Sequence, residues 1–261
     1  MYRPRQSSGF SLVELLTVIA ILAALCAVTL PALQAGRSGA RRTTCLNNLR
    51  QIGLAMLAHH EALGAFPPGG IEWRPPSDSS KRQLAWSALL LPFLDEQPLH
   101  DQIDFNRPFD APENAQPAAA ILPVYVCPTS IRGAVLVDSR GPCDYGAIYG
   151  ERITGPNRPA KGLMIYDRPL ALRDAVDGAS KTLLIGEDTH WNEGQWINGR
   201  NVFDQAYAVN SAPPFENDLR SDHPGGAFGV LADAAVRWMA DDTDLKLLAS
   251  FCTRAGHDPL P

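Results

Sequence analysis

Positive charge is scarce in this chain. Its 23 Lys and Arg against 28 Asp and Glu leave a formal net charge of −5 over 261 residues. That balance argues against a dedicated nucleic-acid binder, which presents a basic face. A second long apolar run is missing after the one near the start, which excludes a polytopic membrane protein. There is no G-x-S-x-G, no H-E-x-x-H, no P-loop and no G-x-G-x-x-G opening a helix. No local motif therefore argues for a nucleophile, a metalloprotease or a phosphate site, and we expect no enzymatic activity. The five cysteines contain no C-x2-C pair, which disfavours a zinc site. Strand–helix alternation at βαβ spacing is absent too, which disfavours a doubly wound sheet.

What is present is a globular composition, 45% hydrophobic and 20% charged, so wholesale disorder is excluded. The 22 prolines and 21 glycines imply a loop-rich body. Phe10 to Leu33 is a continuous apolar run whose only charged residue is Glu14. It is long enough to cross a bilayer, which takes about 20 apolar residues in a helix. A polar leader with Arg3 and Arg5 precedes it. A secretory signal would place its small cleavage residues after the apolar core. Here Gly9 stands before it, and cutting there leaves the helix on the mature chain. Arg37, Arg41 and Arg42 follow the run, so the positive-inside count is a near tie and sets no orientation. A carboxylate inside a membrane segment costs roughly 2.5–3.5 kcal/mol near the centre and less near an end, so Glu14 calls for a partner or an interfacial position.

Gly9-Phe10-Ser11-Leu12-Val13-Glu14-Leu15-Leu16-Thr17-Val18-Ile19 resembles the cleavage and methylation motif of type IV prepilins and type II secretion pseudopilins. The resemblance implies a prepilin peptidase that cuts after Gly9 and methylates Phe10. It implies that Glu14 pairs with the amino terminus of a neighbouring pilin or pseudopilin subunit. Pro31 falls where such helices carry a kink-forming proline. The leader is then cytoplasmic, the helix single-pass in the bacterial inner membrane, and the body extracytoplasmic.

Residues 34–64 read as a continuation of the helix, with Leu49, Ile52, Met56 and Leu63 in one apolar stripe. His59 and His60 are adjacent, about 100° apart on a helix, and read as boundary residues. Phe66-Pro67-Pro68-Gly69-Gly70 stops the helix. Leu84 to Leu99 predicts a helix kinked at Pro92. Ile121–Cys127, Leu163–Tyr166 and Thr182–Glu187 predict strands. Phe228–Ala232 and Val236–Ala240 predict a hairpin around Asp233-Ala234-Ala235. The expected fold is α+β: a long pilin-like helix, half membrane and half amphipathic, packed on a mainly antiparallel sheet with long loops. The expected division is 1–9 leader, 10–33 transmembrane and assembly helix, 34–64 outer helix, and 65–261 extracytoplasmic globular domain.

A second resemblance covers this body. Arg42-Thr43-Thr44-Cys45-Leu46-Asn47-Asn48-Leu49-Arg50-Gln51-Ile52-Gly53, Tyr125-Val126-Cys127-Pro128, Asp177-Gly178-Ala179-Ser180-Lys181-Thr182-Leu183-Leu184-Ile185-Gly186-Glu187 and the tail Thr253-Arg254-Ala255-Gly256 resemble the DUF1559 family. His223 to Asp233 resembles its terminal H-x9-DG element, except that Ala234 stands where the family has glycine. If that position needs positive φ, alanine fits it poorly.

Outside the cytoplasm, Cys45, Cys127, Cys143 and Cys252 can form disulfides, and spacing leaves three pairings open. The resemblance places Cys45 and Cys127 in shared segments, which implies Cys45–Cys127 and leaves Cys143–Cys252. Cys26 lies in the membrane run. His223 and Asp233 read as turn residues ahead of a metal or acid–base role. Asp241, Asp242 and Asp244 read as solvated acids, with calcium as the alternative, a metal some major pseudopilins hold in a C-terminal loop. Glu187-Asp188-Thr189-His190 is the most reactive-looking cluster and equally a polar strand end. The expected role is a pilin-like structural subunit of a type II secretion or type IV pilus-like filament. The alternative is a membrane-anchored binding module for a carbohydrate, peptide or solute, with Trp73, Trp86, Trp191, Trp196 and Trp238 either lining a surface or filling the core.

Overall fold

The computed structural model describes residues 12–75 and 78–256. Helix α1 spans Leu12–Leu63. The chain divides into two compact units, the second beginning at Arg42.

Over residues 12–33, in the first unit, the helix is apolar on every side apart from Glu14. Leu12, Val13, Leu16, Ile19, Leu22 and Leu25 are all exposed, and the most apolar window has a mean hydropathy of 2.5. Residues 12–33 rise about 33 Å at 1.5 Å each, which matches a hydrocarbon core of about 30 Å. The hydroxyls of Thr17 and Thr29 donate back to the carbonyls of Glu14 and Leu25, each at 2.9 Å, so neither polar group is left bare in an apolar setting.

In the second unit α1 follows a different rule. Cys45, Leu49, Ile52 and Met56 are fully buried while Arg50, Gln51 and Leu54 are exposed, the single stripe of a helix packed on one side. Leu63 does not continue the stripe. It is 67% exposed, because the helix ends beside it, where Gly64 at φ 80 donates its N–H to His60 O at 2.8 Å.

The elements that follow are short. They are β1 (Gly70–Ile71), β2 (Leu84–Ala85), α2 (Trp86–Leu90), α3 (Gln97–His100) and α4 (Ala115–Ala118). The single helix expected over 84–99 is thus broken. A 3-10 turn over Leu91–Leu94 carries Pro92, and Asp95 stands in the left-handed region at φ 62. The strand expected at 121–127 is a 3-10 turn over Pro123–Tyr125, because proline fixes a helical φ and offers no N–H to a ladder. Leu163–Tyr166 contributes only an isolated bridge, Gly70 to Tyr166.

The main sheet contains β3 (Tyr145–Glu151), β4 (Leu183–Glu187), β5 (Val202–Gln205), β6 (Gly226–Leu231) and β7 (Val236–Ala240) in the order β5-β3-β4-β6-β7. Only the β3–β5 pair is parallel, so the sheet is mixed and mainly antiparallel. Helix α5 (Leu245–Phe251) ends the described fold. Adjacent strand residues join opposite clusters. Ala147, Phe228, Val230 and Trp238 pack with α1, whereas Ile148, Ala227, Leu231 and Met239 pack with Leu248 and Phe251 of α5. The sheet is therefore covered on both faces.

Helix α1 reaches the sheet at Gly53. A Cβ there would lie 2.9 Å from Val230 Cγ1 and 3.1 Å from Ala234 Cα. Gly53→Val should push the helix off the β6–β7 hairpin and destabilise the body by about 1–3 kcal/mol, the usual cost of overpacking. Urea denaturation checks this, and an unchanged midpoint would contradict the close approach.

Candidate functional site

The described residues hold one cluster of metal-ligating side chains, Cys45, Cys127, Glu187 and His223, with ligand atoms within 4.8 Å of one another. Each comes from a different part of the chain. Cys45 lies on the buried stripe of α1. Asn48, three residues on and so on the same side of the helix, donates to Pro123 O at 3.1 Å and Val126 O at 2.9 Å. These bonds hold the Cys127 loop against the helix, and Cys45 and Cys127 are joined as a disulfide. Cys127 N donates to Asp144 Oδ2 at 2.9 Å, and Arg132 pairs with the same carboxylate. Burial raises the Asp144 carboxyl to about 6 against the opposing pull of Arg132.

Glu187 ends β4. One oxygen accepts from Phe228 N at 2.7 Å. The other, Oε1, is buried without a hydrogen bond and lies 3.4 Å from His223 Nε2. The same nitrogen is 3.5 Å from Cys127 Sγ. The His223 ring is held edge-on by Phe228 and Trp238, with centroids 5.5 and 6.2 Å away. Arg42 caps that stack, 4.0 Å above the Trp238 ring. Glu187, His223 and both cysteines are buried. The arrangement can hold a disulfide beside an imidazole–carboxylate pair. With the sulfurs reduced, it offers two thiolates, an imidazole and a carboxylate to a metal.

The other candidate residues go elsewhere. Gly9 and Phe10 lie outside the described residues. Glu14 is in the first turn of α1. Asp233 does not meet His223: it sits in the β6–β7 turn, where Oδ1 accepts from Ala235 N at 3.0 Å. Ala234 does adopt positive φ, 64°. Asp241 accepts from Asn210 at 2.7 Å, and Asp244 caps α5 through Lys246 N and Leu247 N. Asp241 and Asp244 thus serve different local contacts.

Cys143 and Cys252 are not paired; both are free buried thiols. They belong to the clusters on opposite faces of the sheet, so the sheet stands between them. Burial pushes the Cys143 thiol up to about 12 and the Cys252 thiol well above its ordinary range, which leaves both unreactive. Glu187 is the residue least announced by the sequence. Its signal was the polar strand end Glu187-Asp188-Thr189-His190, whose other members serve separate contacts. Asp188 pairs with Arg220, and His190 meets Asp222 at 2.9 Å.

An open cleft of about 580 Å³ lies on the body surface. Trp73, Tyr149, Tyr166 and Phe203 line it together with Arg152, Asp204 and Asn217. Trp73 is 52% exposed, whereas Trp86 and Trp196 are fully buried.

In native protein, alkylation should spare Cys143 and Cys252. Unfolding without reductant should expose both, and Cys45 and Cys127 should react only after reduction. Peptide mapping that found a Cys143–Cys252 link would reverse this assignment.

Residues 4–30 match the prokaryotic N-terminal methylation motif. No curated protein and no solved structure matches the chain. Residues 34–206 match the family described as a protein of unknown function (DUF1559), about two thirds of the sequence, and the chain belongs to that family.

Proposed function

We propose that this chain is a pilin-like subunit with no reaction of its own, processed by a prepilin peptidase and assembled through its helix into a type II secretion or type IV pilus-like filament of the inner membrane. The reading divides the chain into leader 1–9, assembly helix 10–33, outer helix 34–64 and extracytoplasmic domain 65–261. One observation carries it. An apolar, all-round exposed helix of membrane length bears a single charged residue, Glu14, inside a matched methylation motif. Such a surface is stable only in lipid or against other apolar helices. Cleavage after Gly9 would give Phe10 a new amine to pair with Glu14 of a neighbour.

Glu14→Leu tests the assembly role. Removing one partner of an ion pair in an apolar setting costs roughly 3–5 kcal/mol, or about two to three and a half powers of ten at about 1.4 kcal/mol per decade. The variant should stay in the membrane and be cut after Gly9, yet lose cross-links to pilin neighbours. Cross-linking equal to the wild type would defeat the filament reading.

The aromatic cleft favours a second reading, in which the helix is an anchor and the body binds a solute. Four rings with a few convergent polar groups are the makings of a small-molecule site, and a sugar ring is the ligand that exposed Trp73 best suits. Titration with oligosaccharides should change tryptophan fluorescence in the wild type and leave Trp73→Ala unaffected. No response in either protein would remove this reading.

A further inference from the structure

We propose that, before the disulfide forms, Cys45, Cys127, His223 and Glu187 bind one zinc ion, and that zinc and the disulfide are mutually exclusive occupants of the same site. The geometry is the first argument. A tetrahedral zinc with Zn–S of about 2.3 Å and Zn–N or Zn–O of about 2.0–2.1 Å sets neighbouring N···S atoms about 3.5 Å apart and N···O atoms about 3.4 Å apart. His223 Nε2 lies 3.5 Å from Cys127 Sγ and 3.4 Å from Glu187 Oε1. Two edges of the tetrahedron are thus already set. Opening the sulfur pair to thiolate separation supplies the remaining corner.

Glu187 is the second argument, independent of the cysteines. Its Oε1 is buried, turned into the cluster and without a hydrogen bond, its one charged neighbour the His223 ring at 3.4 Å. A carboxylate oxygen in that state is costly, and a cation at the centre of the cluster would satisfy it. The ligand set is two thiolates, one imidazole and one carboxylate, which suits zinc by ligand type and number. Its charges sum to −1 with the ion bound. Arg42, one turn before Cys45, stacks on the aromatic rings that hold His223 and places a positive charge near that excess.

The chemistry balances without a cofactor. A newly made chain carries both sulfurs as thiols. Zinc takes the place of their two protons, which leave to solvent. Oxidation by a disulfide-bearing oxidant then moves two electrons from the sulfurs to that oxidant, which takes up two protons from solvent and is reduced to its dithiol. The S–S bond of Cys45–Cys127 forms and the zinc is released. Because the ligands come from α1, the Cys127 loop, β4 and the segment before β6, metal binding would join these parts as the body folds.

The test uses the full chain in detergent, with Cys26→Ala to remove the exposed thiol. Protein held with a phosphine reductant and loaded with zinc should retain about one zinc per chain after gel filtration, by elemental analysis. The disulfide form should retain none. Cobalt(II) in place of zinc should give intense tetrahedral bands and a sulfur-to-metal band in the near ultraviolet. Cys127→Ser could fail to fold, so Glu187→Gln is the second variant. It keeps the shape and an oxygen for Phe228 N, and should weaken zinc binding at least tenfold in competition with a chelator. The proposal is overturned by a reduced protein that retains no zinc, by cobalt bound without the sulfur band, by equal zinc in the disulfide form, or by unchanged affinity in Glu187→Gln.

Discussion

Helix α1 is tied to the body at Cys45, and the rest of the body is arranged around that tie. The disulfide to Cys127 spans 82 positions of sequence. Closing a loop of that length removes enough unfolded-chain entropy to contribute about 4.5 kcal/mol in the chain-entropy account. The bond also fixes which face of the helix meets the sheet. With Cys45 held, Leu49, Ile52 and Met56 fall on the same side by helical spacing, and all are buried. Asn48 and Arg42 reinforce the orientation through the Cys127 loop and the Trp238 ring. Gly53 lets the backbone of the helix approach the β6–β7 hairpin.

A sheet covered on both faces needs little else to be regular. The loops are long, and buried charge pairs organise them. Asp188 and Arg220 are paired in the interior, and Asp144 with Arg132 steadies the Cys127 segment. Such pairs add little net stability, because the desolvation cost offsets the attraction. Their effect is geometric: each requires one loop to stand in one place. The same logic explains why His223 ends up against Glu187. His223 N donates to Ser221 Oγ at 3.1 Å, and Ser221 Oγ donates to Gly226 O at 2.6 Å, so the turn entering β6 presents the ring inward.

The sequence makes some of this legible and hides the rest for physical reasons. The membrane-length helix and its processing motif are local signals and were readable. So was the β6–β7 hairpin, bounded by the turn at Asp233. β3 was missed. Its sequence Tyr-Gly-Ala-Ile-Tyr-Gly-Glu has no polar alternation, because both faces of the strand are covered. β5 is four residues long and offers too short a pattern. Over 84–99 and 121–127 the hydrophobic pattern predicts a helix and a strand, but Pro92 and Pro123 decide the backbone. The cluster at Cys45 was hidden most completely. Its four ligands lie in four separate segments, so no spacing rule could reveal it. His223 and Asp233, the two ends of one sequence element, are parted by β6, which sends one end inward and the other to a solvent-facing turn.

Ala234 stands where the resemblance to the H-x9-DG element calls for glycine, and the turn absorbs it. Its φ of 64° is the conformation glycine adopts freely, and an L-residue there pays roughly 1–2 kcal/mol. The side chain is not idle, however. Ala234 is buried, and its Cβ lies in the space that a Cβ on Gly53 would crowd at 3.1 Å. Burying one methyl group returns about 0.8 kcal/mol, which offsets much of the backbone strain. The turn therefore keeps its left-handed geometry with alanine in place of glycine, and the helix accommodates the added methyl because glycine stands opposite at 53. The two positions work as a pair: a small residue on the helix makes room for the larger one in the turn, and the hairpin that carries Trp238 over the His223 ring keeps its place.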